Sequence, residues 1–323
     1  MSKAIVVRAT GGPEVLRLED RDVGDPGPGE IKIRQHAIGF NFVDTYQRSG
    51  LYRRDLPFVA GNEGAGEITA VGYGVTDFQV GDRVTYQGQP GAYAEERLLP
   101  EGRAAHLPDG IDYETAAAIG LKGATAYYLL FLTYRLKAEE TILFHAAAGG
   151  LGLIACQWAH ALGARVIGTA GSEEKLALAR AHGCDEVINY RTENFVDRVR
   201  QLTGGQGVDV VYDGVGKDTF LGSLDCLRPR GLMVSLGNAS GPVSIPNLGI
   251  LSEKGSLYLT RPTGATYWRK TEDYREALAA VYDAVLKGII TVSIGHRYAL
   301  ADAAEAHRAA EARETMGSVV LAP

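Results

Sequence analysis

The chain has 323 residues, enough for about two domains at ~150 residues each and for a full core without disulfides or metal staples. Hydrophobic residues make up 46% and charged residues 22%, which excludes a disordered, collagen-like or coiled-coil protein. The net charge is −6 and no basic run exceeds two residues (Arg53-Arg54 is one), so a dedicated nucleic-acid binder is disfavoured. The three cysteines, Cys156, Cys184 and Cys226, are sparse and form no CxxC knuckle; they read as reduced thiols of a cytoplasmic protein. The first residues carry too short an apolar run for a signal peptide.

The first 120 residues read as β-rich. Short apolar runs at Ala4–Val7, Ile31–His36, Gly66–Val71, Arg83–Tyr86 and Ala92–Leu99 alternate with glycine and proline turns, the pattern of a compact antiparallel barrel or sandwich. The character then changes. Tyr113–Tyr134 reads as helical, and strands begin to alternate with helices. The expected strands are Thr141–His145, Arg165–Thr169, Glu186–Asn189, Val208–Tyr212, Leu232–Leu236 and Ser256–Thr260. The expected helices between them are Leu151–Leu162, Glu173–His182, Asn194–Leu202 and Thr219–Leu227. That alternation means βαβ units and a parallel sheet, and six strands fill a doubly wound dinucleotide-binding fold. Helices at Asp273–Lys287 and Leu300–Arg313 and a strand at Ser318–Leu321 have no sheet left to extend, so the tail is expected to return to the first domain. The expected division is 1–123 plus 263–323 for the β-rich domain and 124–262 for the parallel-sheet domain. Thr141–Ala164 lacks formal charge over more than a membrane's thickness, but its cluster Gly149, Gly150, Gly152 reads as strand, turn and helix instead.

That cluster carries the chemistry. A dinucleotide fingerprint needs a tight turn, a close backbone approach to the pyrophosphate, and close helix–strand packing. Ala147, Gly149 and Gly152 stand at those positions, with Gly150 and Leu151 between; the pyrophosphate would sit on the free N–H groups and positive dipole of the helix start. The second strand ends without the carboxylate that would take a ribose 2′-hydroxyl. Gly171, Ser172 and Lys175 stand there and suit a 2′-phosphate, hence NADPH, although Glu173 and Glu174 beside Lys175 also fit a merely solvated helix face. Tyr190 is a candidate wall for the adenosine.

The runs Gly39-Phe40-Asn41-Phe42-Val43-Asp44-Thr45-Tyr46, Gly61-Asn62-Glu63-Gly64-Ala65-Gly66-Glu67, Phe144-His145-Ala146-Ala147-Ala148-Gly149-Gly150, Asn189-Tyr190-Arg191 and Gly249-Ile250-Leu251 resemble the medium-chain dehydrogenase/reductase superfamily. Within it they are similar to the bacterial type of the zinc-free NADPH:quinone oxidoreductase, or zeta-crystallin-like, group. The resemblance covers nearly the whole chain. It implies a Rossmann doubly wound parallel sheet plus a β-rich GroES-like catalytic domain, with NADPH in a cleft between them. Where the superfamily's zinc alcohol dehydrogenases have a Cys and a His ligand, this chain has Asn41 and Asn62, and the structural-zinc cysteines are absent; asparagine is a poor zinc ligand, so no metal is expected. Asn41 would bond the nicotinamide ribose or a substrate carbonyl, Thr125 would orient the carboxamide, and Leu236, Gly237 and Asn238 would run beside the nicotinamide. Tyr46, Tyr52 and Arg261 would line the quinone side, the arginine as a fixed charge for a developing oxyanion. The resemblance also leaves an enone or alkenal C=C reductase open and, from a different class, an RNA-binding or crystallin-like structural role. No membrane-surface helix with a basic face is evident, so no membrane partner is expected. A homodimer is expected through Leu257-Tyr258-Leu259-Thr260, an apolar sheet edge without a blunting charge.

Overall fold

The computed structural model describes every residue except Pro246. Those residues separate into two compact units, Met1–Ala124 with Trp268–Leu286 and Val292–Pro323, and Thr125–Tyr267 with Lys287–Thr291.

The first unit begins with β1 (Ser2–Val7), β2 (Leu16–Arg21), β3 (Glu30–Gly39), α1 (Phe42–Ser49), β4 (Phe58–Val59), β5 (Glu63–Val71), β6 (Arg83–Gln87), β7 (Glu96–Pro100) and β8 (Ala105–His106), and α2 (Tyr113–Tyr127) leads out of it. The run expected as one strand over 92–99 is shorter. Ala92–Ala94 makes only an isolated bridge, from Ala94 to Ala4 of β1, and the Gln35 side-chain amide donates to the Ala92 and Ala94 carbonyls at 2.6 and 2.5 Å. The helix expected to Tyr134 is α-helical to Tyr127 and then widens into a π turn over Tyr128–Thr133. This stretch, Tyr113–Thr133, is long and apolar enough to cross a membrane, but 67% of its most apolar 18-residue window is buried inside the protein, as in a core helix.

The second unit holds β9 (Thr141–Phe144), α3 (Gly150–Ala161), β10 (Arg165–Ala170), α4 (Glu173–Ala181), β11 (Glu186–Asn189), α5 (Phe195–Leu202), β12 (Val208–Asp213), α6 (Phe220–Asp225), β13 (Leu227–Ser235), α7 (Gly249–Glu253) and β14 (Tyr258–Thr260), with α8 (Gly264–Tyr267) near its end. Its six strands lie in the order β11-β10-β9-β12-β13-β14, all parallel, which is the doubly wound order with its switch point beside β9. Leu143, Ile167, Ile188 and Val211 are fully buried, as strands covered on both faces require.

The tail returns to the first unit as α9 (Thr271–Leu286), β15 (Ile294–Ala299), α10 (Ala303–Glu311) and β16 (Ser318–Ala322). β16 joins β3, closing a seven-stranded sheet in the order β15-β16-β3-β5-β6-β8, with β7 also on β3; β2-β1-β4 form a second, antiparallel sheet. The reading of this tail missed β15. Its residues alternate half-buried and exposed, so no continuous apolar run marked it.

Candidate functional site

In the second unit, the turn after β9 puts a free helix start at the carboxyl ends of the parallel strands, where open α/β sheets bind ligands. α3 begins at Gly150, capped by Gly149 in an extended conformation, and no cap side chain takes its first N–H groups. Gly152 cannot be anything larger: a Cβ there would lie 2.5 Å from the Ala146 carbonyl oxygen and 2.6 Å from that of Ala147. This is the close packing the third fingerprint position needs. Ala147 is fully buried and its N–H bonds the Thr169 carbonyl at 3.0 Å, so the turn is pinned to β10. Ala146 has φ +56°, a left-handed conformation that non-glycine residues rarely adopt, at the tightest point of the turn. The sequence did not announce that strain.

At the end of β10, Ser172 caps α4 by accepting from the Lys175 N–H at 3.4 Å, a role that does not use its hydroxyl proton. Glu173 is tied to the Asn189 side-chain amide at 3.0 Å, so this carboxylate is turned to the end of β11. A Cβ on Gly171 would fall 2.5 Å from the Tyr190 hydroxyl and 3.3 Å from Arg191 Nε. The fold therefore gathers Gly171, Ser172, Lys175 and Tyr190 with an exposed guanidinium, Arg191, that the reading of the sequence had not singled out as a charge. These residues fit a 2′-phosphorylated dinucleotide: a glycine cradle, a helix start, and donors without a carboxylate at the strand tip. Beyond β13, Gly237 packs so closely on Gly214 that a Cβ would meet its carbonyl oxygen at 2.2 Å. Arg261 Nη1 donates to Ser235 Oγ at 3.1 Å and to the Gly237 carbonyl at 2.9 Å, so its charge sits on the 236–238 loop. Thr125 is half-buried at the start of this unit.

The first unit carries the rest. β3 ends at Gly39, and Asn41 caps α1 while Asp44 returns its carboxylate to the Asn41 N–H at 2.9 Å. Asn41 Nδ2 donates to Glu63 Oε2 at 2.7 Å and, more weakly, to the Gly39 carbonyl at 3.5 Å. Asn62 Nδ2 donates to Asp44 Oδ1 at 2.6 Å and Gln47 Oε1 at 2.9 Å. Glu63 is fully buried; its Oε1 accepts from the Leu121 N–H at 2.5 Å, and Lys122 Nζ stands 3.5 Å from its Oε2. Gly39 and Gly120 make room for this carboxylate, since a Cβ on either would come within 3 Å of one of its oxygens. Burial pushes the Asp44 carboxyl up to about 6 and raises that of Glu63, which Lys122 and Asn41 pull back down. Tyr93 donates to Asp44 at 3.0 Å and meets His307 Nε2 at 3.2 Å; Arg48 lies 3.2 Å from His307 Nδ1 and grips Glu311 at 2.7 Å. The Tyr46 and Tyr52 rings meet edge to face at 5.2 Å, and Phe42, missed by the reading of the sequence, continues that aromatic row 6.3 Å from Tyr46. Asn41, Tyr46 and Tyr52 thus belong to one unit, and Thr125, the fingerprint residues, Leu236, Gly237, Asn238 and Arg261 to the other.

The donor set is wrong for zinc. Asn41 and Asn62 are neutral amides, which offer neither the thiolate, the imidazole nor the carboxylate that zinc takes, and no group of three His, Cys, Asp or Glu converges among the described residues.

Residues 27–133 match the family model described as an alcohol dehydrogenase GroES-like domain, and residues 150–283 match that of a zinc-binding dehydrogenase. A quinone oxidoreductase of Pseudomonas aeruginosa is 56% identical over the whole of both chains. The Escherichia coli quinone oxidoreductase solved in complex with NADPH superposes with a TM-score of 0.97 at 49% identity, over 99% of this chain and 100% of that one. A 2-haloacrylate reductase from Burkholderia is 45% identical over 100% of this chain and 99% of its own length.

Proposed function

The chain belongs to the quinone oxidoreductase group of the medium-chain dehydrogenases/reductases, with a Rossmann-like parallel sheet and a GroES-like domain, and we propose that it is an enzyme that reduces quinones with NADPH. The observation that carries this reading is the full-length match to quinone oxidoreductases at 56% identity. The glycine turn and the carboxylate-free tip of β10 support it. When bound, NADPH supplies a hydride. The chain's own groups bind and orient: the start of α3 takes the pyrophosphate, and Ser172, Lys175, Tyr190 and Arg191 hold the 2′-phosphate end. Thr125, Leu236, Gly237 and Asn238 frame the nicotinamide. Arg261 offers positive charge to the oxygen that gains electron density as a quinone is reduced, and the Tyr46 and Tyr52 rings supply flat apolar surface for its ring.

The reading is metal-free, because a quinone is electrophilic without a Lewis acid and the Asn41–Glu63 and Asn62–Asp44 bonds leave no ligand set. It is also cytoplasmic, with no membrane or nucleic-acid partner. β14 is the edge of the parallel sheet and Tyr258 on it is 62% exposed, which supports a homodimer that pairs this edge with its copy. A second reading, reduction of an activated C=C bond, is favoured by the 2-haloacrylate reductase relative.

A substrate panel separates the two. With NADPH and a chelator present, 1,4-benzoquinone should drive cofactor oxidation faster than 2-chloroacrylate or an enone; the reverse order selects the second reading, and loss of activity on chelation removes the metal-free one. Lys175→Ala should weaken NADPH binding by ~1–3 kcal/mol, the range for a charged hydrogen bond, and leave NADH nearly unchanged. Equal losses for both cofactors would sink the 2′-phosphate assignment.

A further inference from the structure

The buried acid Glu63 has a demanding position. Both of its oxygens face N–H donors, Leu121 N–H at Oε1 and Asn41 Nδ2 at Oε2. A glutamine in its place would set an N–H against one of those donors, whereas a carboxylate accepts from both. An isolated carboxylate that is 0% exposed is costly, and the cation beside it is Lys122, itself 8% exposed, whose Nζ makes no hydrogen bond and stands 3.5 Å from Oε2. The other groups around this acid are Asp44 and the phenols of Tyr86, Tyr93, Tyr274 and Tyr282, none of which is cationic.

The consequence falls on Asn41. An asparagine amide offers two donors at nitrogen and two acceptor sites at oxygen. The ionised Glu63 and the Gly39 carbonyl take the nitrogen. What remains is Oδ1, an acceptor, of which the helix cap uses at most one lone pair. We propose that Lys122 is a positioning residue: by holding Glu63 as a carboxylate it fixes the Asn41 amide so that Asn41 presents its oxygen, an acceptor for a hydroxyl of the cofactor's nicotinamide ribose, and not an N–H donor for a quinone carbonyl. This deepens the reading of Asn41 as a cofactor-binding group and rests on it.

The test is a mutant cycle on NADPH affinity, read by fluorescence titration of the full chain, with quinone KM measured alongside and folding checked by thermal melting. Asn41→Ser keeps a hydroxyl that can cap α1 but is too short to reach Glu63. Alone, Asn41→Ser, Glu63→Gln and Lys122→Met should each raise the NADPH Kd about tenfold, the equivalent of one hydrogen bond at ~1.4 kcal/mol, with quinone KM unchanged. In the Asn41→Ser background, Glu63→Gln and Lys122→Met should then change Kd by less than about twofold, because they act through Asn41. Lys122→Arg should restore most of the affinity lost in Lys122→Met, and should Glu63→Gln fail to fold, the Lys122 arm gives the same cycle. Equal losses in both backgrounds would show a merely structural pair and overturn the proposal while leaving Asn41 as a binding group. A rise in quinone KM with unchanged NADPH Kd would overturn it too, as would an Asn41→Ser variant that binds NADPH normally, which removes the underlying reading of Asn41 as well.

Discussion

Each unit buries a network of polar side chains, and the two are built to different rules. In the second, His145, Thr169, Ser223, Thr219 and Asp213 close on themselves. Asp213 accepts from Val215 N–H, Gly216 N–H, Thr219 Oγ1 and Ser223 Oγ at 2.7–3.0 Å. Because the one Ser223 proton goes to Asp213, His145 must donate from Nε2 to Ser223 at 3.0 Å and accept at Nδ1 from Thr169 at 2.9 Å. Burial lowers the His145 pKa, in keeping with a neutral ring. Each donor of the set finds an acceptor. In the first unit, two buried carboxylates, Asp44 and Glu63, share one buried ammonium whose protons make no hydrogen bond. A network that balances its donors and acceptors rigidifies a turn; one that leaves charge and donors over is arranged for something besides stability.

The largest way to break the comparison is at Asp213. Asp213 is 0% exposed, and Asp213→Ala takes the acceptor from two backbone N–H groups and the Ser223 hydroxyl and leaves Thr219 only its weaker bond to the Gly216 carbonyl; it should cost about 4 kcal/mol, seen as a lower urea midpoint with an unchanged slope. A loss under ~1 kcal/mol would mean that water substitutes for the carboxylate and the second unit's network is not the closed frame described.

A smaller effect sharpens the parallel between the two buried histidines. Tyr93 spends its proton on Asp44, so His307 donates from Nε2 to Tyr93 and accepts at Nδ1 from Arg48, the same neutral form as His145. Burial and the Arg48 charge hold His307 down at about 3. An unfolded histidine protonates near pH 6.5, so its neutral burial stabilises the fold above that pH, and the benefit is lost as pH falls from 6.5 toward 3. Asp44, held up at about 6, acts in the opposite sense, its cost being relieved as pH falls through 6. His307→Gln removes only the first contribution. Its destabilisation relative to wild type should therefore shrink by up to ~1.4 kcal/mol per pH unit between pH 6 and 4, read from denaturation midpoints at each pH. A gap that widens on acidification would mean that His307 is charged in the fold.

The two regions also differed in how far they could be read from the chain. The second unit was legible because its signals are local: apolar strands, short helices and a glycine cluster follow one another, and Gly152 is forced by carbonyls only five and six residues back. In the first unit, Asn41 and Asn62 stood out, by resemblance, as amides where a metal would have ligands. What they touch did not, because Glu63 and Lys122 meet across 59 positions and nothing in the spacing pairs them. α1 escaped notice for a related reason. Its buried residues are Asp44, Thr45, Gln47 and Arg48, the reverse of an amphipathic pattern, and it is held by the polar cluster instead of an apolar face. The π turn after Tyr127 and the left-handed Ala146 are backbone departures with no residue type to mark them.

The central claim is that the first unit's unbalanced cluster serves the reaction and the second unit's closed network serves the framework. The most direct measurement compares Lys122→Met with Ser223→Ala at a temperature where both are folded, as kcat/KM for NADPH at saturating benzoquinone, beside the melting temperature of each. Ser223→Ala orphans the His145 N–H and should cost about 2 kcal/mol of stability with kcat/KM within about twofold of wild type. Lys122→Met should lower kcat/KM about tenfold, far beyond its effect on the folded fraction, in step with one lost hydrogen bond to the cofactor. If the two variants instead lose activity in proportion to stability, or Ser223→Ala loses more activity than Lys122→Met, the division of roles between the two networks is wrong.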